Sequence, residues 1–174
     1  PTPTTSSAAS DVYKRQVVHM SAGFAALAGA VHLGPRNIDR LEHANIPFII
    51  LGTGLLWFGW FGFNAGSALG ANDDAVLALA NTHFASAAGM ITWMFYERYN
   101  GRKMNAVGAC IGAIVGLVAI TPAAGFVTVQ ESVAIGFIAA LVSNWAIARQ
   151  SKSGLVDTLV FLPSNWVGCM VGIV

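Results

Sequence analysis

Charge is what this sequence lacks most. Asp, Glu, Lys and Arg make up 10% of its 174 residues, against about 25% in ordinary soluble domains. With 55% of the residues hydrophobic, too few charged side chains remain to cover a freely soluble domain. The formal net charge of +1 points to no nucleic acid and no acidic partner. Cysteine is scarce as well. Cys110 and Cys169 both lie in apolar runs, which favours buried packing over a disulfide framework. Catalytic signatures are missing: there is no Gly-x-Ser-x-Gly, no phosphate loop, no His-Glu-x-x-His and no Cys-x-x-Cys. Paired intramembrane carboxylates, which a proton pump would need, are absent too. The chain reads as a non-enzyme with no cofactor and no metal. Strand patterns do not compete with helix anywhere.

What is there is a series of long apolar runs. Ile46 to Asn72, Ala75 to Tyr96 and Met104 to Thr121 carry no Asp, Glu, Lys or Arg, and Val129 to Ala148 carries only Glu131. Val17 to Leu33 is apolar but sits at the short limit for crossing a hydrocarbon core of about 30 Å. Asp157 to Val174 forms a last, partial run. The expected fold is an all-α integral membrane protein, a polytopic helix bundle with about five full spans and a partial sixth. Basic loops alternate with loops lacking Lys and Arg. Arg36 and Arg40, then Arg98, Arg102 and Lys103, then Arg149 and Lys152 fall on one side, which the positive-inside rule makes cytoplasmic. Residues 1–16 differ in kind. They are polar and low in complexity, and stand as a disordered or non-native tail before a transmembrane domain over 17–174.

The runs are organised around Leu55 to Leu69. It holds Trp57, Phe58, Trp60, Phe61 and Phe63 together with Gly59, Gly62 and Gly66. Glycine costs a soluble helix about 1 kcal/mol against alanine, whereas in lipid small residues let helices approach. Gly62, Gly66 and Gly70 form overlapping Gly-x-x-x-Gly repeats. Gly108, Gly112 and Gly116 form a second such face. On a helix Gly59, Phe63 and Ser67 share one side. That side offers a flat ring that can close a narrow path and a hydroxyl just outside it.

Ionisable groups inside a span are functional suspects. His19 lies near mid-membrane, where a neutral imidazole both donates and accepts in a narrow polar file. His83 reads as a packing and hydrogen-bonding residue. Asn64 and Asn144 read as amides bridging helices. Asp157 opens the last run, where it can cap a helix or orient deeper residues. Asn165 lies eight residues beyond it.

These stretches resemble the ammonium transporters of the Amt/Mep/Rh type. VVHMSAGFAALAGAVHLGPR is similar to that family's fifth helix, IPFIILGTGLLWFGWFGFNAGSAL to its sixth, NTHFASAAGMITWM to its seventh and GAIVGLVAITPAAGFV to its eighth. The resemblance implies a chain covering roughly helices five to ten, truncated at both ends. It implies ammonium recruitment at Ser67, a gate at Phe63, and a pore histidine at His19. Trp60 would line the same pore, with Asn64 and Asp157 in support. It further implies a homotrimer in the cell membrane (plasma or bacterial inner membrane), taking ammonium or its analogue methylammonium. A PII-type cytosolic regulator is a possible partner, although the usual C-terminal tail is absent. Neutral ammonia would cross after ammonium loses its proton outside. One stretch departs from the family. Asp-x-x-Asp-Val-Phe-x-x-His-Gly is expected in the tenth helix, but Val160, Asn165 and Trp166 replace the second aspartate, the second pore histidine and the glycine. Asparagine cannot relay a proton near neutral pH, and Trp166 would narrow the path.

Three other readings stand beside conduction. An ammonium sensor with little flux fits Asn165 and Trp166. A non-functional half-pore fits a truncated chain. From another class, His19 and His83 as axial ligands would make a haem-binding membrane oxidoreductase.

Overall fold

The computed structural model describes residues 5–33 and 45–150, with side chains described for 17–29, 31–32 and 45–149. Among the described residues five α-helices follow one another: α1 (Thr5–Leu33), α2 (Ile46–Asn64), α3 (Asp73–Tyr99), α4 (Ala106–Ile120) and α5 (Val129–Gln150). A 3-10 turn, Gly66–Ala68, sits between α2 and α3. Among the described residues, Ile46–Ala68, Asp73–Tyr99 and Val129–Arg149 are long and apolar enough to cross a membrane. Val17–Gly29 and Ala106–Ile120 are shorter apolar helices. The protein is an all-α membrane protein. The backbone of α1 is helical from Thr5, so α1 includes residues 5–16 of the segment read as a tail. The expected sixth segment, with Asp157 and Asn165, lies outside the described residues.

The starts of α2 to α5 each have a chemical cause. A helix leaves its first N–H groups without intrahelical partners, and a side-chain oxygen at the cap satisfies one of them. Asn45 accepts from the Phe48 N–H at 3.1 Å, Asn72 from Ala75 at 3.0 Å, and Asn105 from Gly108 at 2.7 Å. Pro47 occupies the first turn of α2, where its missing N–H is harmless. At α5 the device is a capping box. Thr128 N–H donates to Glu131 Oε2 at 2.7 Å, and Glu131 N–H donates back to Thr128 Oγ1 at 3.4 Å.

The core lies where α3 packs on α4 and α5. Leu117, Ile120, Val115 and Val118 of α4 are among its largest fully buried side chains. Small residues permit the close approach. A Cβ added at Gly112 would meet Trp93 Cβ at 2.5 Å and the Gly89 carbonyl at 2.7 Å. The stripe Gly108, Gly112 and Gly116 is therefore a contact face, as its four-residue spacing predicts.

The other glycine repeat behaves differently. α2 ends at Asn64, so Gly66 and Gly70 lie beyond it. Cβ atoms built at Gly62, Gly66 or Gly70 meet nothing within 4 Å among the described residues. Among the described residues, the expected close-packing face there is not formed. α2 gives way after Ala65 to the 3-10 turn, which Leu69 closes in the left-handed region at φ 55°. Only 6% of the α2 span is buried, against 39% for α3.

Candidate functional site

α2 presents its aromatic residues in two directions. Trp57 and Phe61 lean toward His83 of α3, with ring centroids 5.5 and 6.2 Å away. Trp60 and Phe63 lean toward α1 and meet His19. The His19 and Trp60 rings stack with centroids 5.4 Å apart and planes 9° from parallel. Phe63 approaches His19 edge-on at 6.0 Å and 76°, and Trp60 at 5.8 Å and 71°. Such offset and edge-to-face geometries suit ring quadrupoles. His19 is 5% exposed and thus buried within this aromatic corner.

These three side chains line an open groove of about 600 Å³, together with Leu55, Leu56 and Gly59. Of the described residues that line it, only His19 and Trp60 carry a side-chain polar atom. The indole N–H does not stay in the groove. It donates to Thr121 Oγ1 at 2.8 Å, and that hydroxyl donates in turn to the Leu117 carbonyl at 2.7 Å. The imidazole is therefore the principal hydrogen-bonding group on an otherwise apolar wall. An ion entering such a wall loses hydration without replacement, whereas a small neutral amine loses far less.

Ser67 sits just past the end of α2. The 3-10 turn keeps it four residues after Phe63, and its hydroxyl donates to the Phe63 carbonyl at 2.6 Å. The expected shared side survives, but by a turn and a hydroxyl bond instead of a continuous helix. With its proton committed, Ser67 Oγ keeps lone pairs for an outside N–H donor. Phe63 is 39% exposed, between this hydroxyl and His19.

Asn64 faces the opposite way. It is buried, and its amide donates to Thr82 Oγ1 of α3 at 2.9 Å. It ties α2 to α3 and does not line the groove. Asn144 of α5 accepts from Arg102 at 3.4 Å. His83 is exposed, beside Trp57, Phe61 and Phe84. His19 and His83 thus stand in separate aromatic clusters, not face to face as haem ligation requires. Asp157, Val160, Asn165 and Trp166 lie outside the described residues.

Three polar residues escape a sequence reading. Thr121 looks like the last residue of an apolar run before Pro122, yet it is fully buried and holds Trp60. Asn81 is fully buried and donates to the carbonyls of Ala124 and Val127 at 2.8 and 2.7 Å, which fixes the turn after α4. Glu97 lies one residue past the uncharged run, yet it is buried and accepts from Trp93 Nε1 at 3.2 Å. The available signal for Thr121 and Glu97 is the position of each at the end of an apolar run; Asn81 lies inside one.

The model of the Ammonium Transporter Family matches residues 4–174. The chain belongs to the ammonium transporter family. An ammonium transporter of Aquifex aeolicus is 46% identical over 159 residues, covering 91% of this chain and 38% of that relative. The chain thus spans well under half the length of this relative. The crystal structure of Candida albicans Mep2 superposes with a TM-score of 0.84 at 38% identity, over 93% of this chain and 37% of that one. A structure described as a sensor Amt protein superposes with a TM-score of 0.86 at 32% identity, over 93% and 42%. Membership of this family agrees with the expected fold class and with the resemblance carried by α1 to α4.

Proposed function

We propose that this chain supplies one wall of a path for ammonium/ammonia across a cell membrane. The observation that carries this reading is the apolar groove in which Phe63, Trp60 and His19 converge, with the Ser67 hydroxyl four residues beyond Phe63. Ser67 accepts an N–H of ammonium at the mouth. The aromatic faces there attract a cation, and the acceptor oxygen favours an ion with N–H donors over a bare one. The apolar wall then rejects charge. Ammonium leaves its proton outside, and neutral ammonia passes Phe63 and the His19–Trp60 stack. In the proposed assembly three copies sit together in a plasma or bacterial inner membrane. Asp157 and Asn165 belong to the same path in this reading, and a PII-type protein is the proposed cytosolic regulator.

The similarity to a sensor Amt protein favours one second reading, in which ammonium is bound but barely conducted. Uptake of labelled methylammonium into proteoliposomes separates the two. Uptake above protein-free vesicles, competed by unlabelled ammonium, supports conduction. Tight ammonium binding with background uptake supports the sensor instead. Neither binding nor uptake would sink both.

A further inference from the structure

The groove has a feature that conduction alone does not require. Trp60 carries the one indole that both faces the groove and stacks on His19. A tryptophan ring in lipid needs a partner for its N–H, since an unsatisfied donor is costly there. Here the partner is Thr121, the residue that closes α4, through a 2.8 Å bond spanning 61 positions of sequence. Thr121 is itself fixed. It is fully buried, and its hydroxyl donates to Leu117 at 2.7 Å, one turn back in the same helix.

The chain Trp60 to Thr121 to Leu117 has two consequences. It turns the indole N–H away from the groove, which leaves the ring itself as the groove wall. It also fixes the ring plane, because the N–H direction lies in that plane. The imidazole of His19 then rests on a surface whose tilt is set from α4, a helix with no residue in the groove lining. We propose that Thr121 is a positioning residue for His19, acting through Trp60. Its hydroxyl holds the indole so that the histidine ring stays stacked and no second donor faces the path. The functional weight of this inference rests on the conduction reading, whereas its geometry does not.

The test therefore reads His19 directly. The protein in lipid nanodiscs is labelled at histidine, the His19 ring signals are assigned by their loss in His19→Gln, and four variants are compared. A histidine stacked on an indole face is shielded by its ring current. In Thr121→Val, which keeps the β-branched shape but removes the acceptor, the His19 ring protons move downfield. Thr121→Ser retains the acceptor and keeps the original shifts. In a Trp60→Phe background, where no N–H remains to hold, Thr121→Val adds no further shift. Unchanged His19 signals in Thr121→Val would overturn the proposal. So would an equal shift in the Trp60→Phe background, since that effect would not pass through Trp60. Methylammonium uptake by the unsubstituted protein is measured alongside. Its absence refutes the conduction reading alone, because the ring signals decide the positioning role whatever the flux.

Discussion

The imidazole of His19 lies almost parallel to the indole of Trp60, with 5.4 Å between centroids and 9° between planes. The two residues come from different helices, and Phe63 closes the corner edge-on. One hydrogen-bonding ring is thereby placed against one apolar wall. In the proposed reading, that combination passes a small neutral amine more readily than an ion.

In the proposed reading, Ser67 sets the first discrimination. Its hydroxyl proton is directed to the Phe63 carbonyl, so the oxygen is available as an acceptor. Ser67→Ala is expected to raise the half-saturating methylammonium concentration about two- to tenfold, the equivalent of a net hydrogen bond of about 0.5–1.5 kcal/mol. Ser67→Thr keeps the acceptor and the affinity. Concentration-dependent uptake checks both, and an unaltered Ser67→Ala curve removes Ser67 from the recruitment step.

Close packing of α3 on α4 is the main structural bet. Gly112→Val would push a side chain into Trp93 and the Gly89 carbonyl. Overpacking of this kind costs about 1–3 kcal/mol, so a lower midpoint of detergent unfolding is expected. Gly54 has open space around it, and Gly54→Ala should leave the midpoint in place or raise it. Equal midpoints for Gly112→Val and the parent would mean the helices do not approach this closely.

Asn64 is predicted to act in stability and not in the path. Its amide reaches Thr82 across to α3. A double-mutant cycle of Asn64→Ala with Thr82→Ala should return a coupling of about 0.6 kcal/mol, and at most about 1.7, as interhelical hydrogen bonds in membranes do. Zero coupling would show that the bond does not form in lipid.

At the start of α5, Glu131 and Thr128 satisfy each other's backbone N–H groups. Glu131→Ala is expected to loosen the helix start, because the Thr128 N–H loses its acceptor. Amide exchange in the first turn of α5 should accelerate, and exchange in α4 should not.

Much of this was legible in the sequence, for definite reasons. Uncharged runs mark α2, α3 and α4, because lipid admits little else. His19, Trp60 and Phe63 can be singled out from the chain and its resemblance to the family. Their mutual stacking cannot, since it depends on how α1 lies against α2. The end of α2 is misread for a local reason. Nothing in Asn64 to Leu69 forbids helix by composition, yet the Ser67 hydroxyl bonds back to Phe63 and Leu69 turns left-handed. That removes Gly66 and Gly70 from the helix face. Glu97 and Thr121 escape because a buried polar residue at the end of a run looks like an interfacial one until its partner, Trp93 or Trp60, is placed.

The most direct measurement is methylammonium uptake by proteoliposomes holding the parent protein, His19→Ala, or Phe58→Ala. Phe58 is 75% exposed and does not line the groove. The account predicts uptake by the parent, an unaltered rate in Phe58→Ala, and a rate changed by about tenfold or more in His19→Ala, the scale of about 1.4 kcal/mol at the barrier. Parent-like uptake in His19→Ala would contradict it, because the path would then not run past the His19–Trp60 stack.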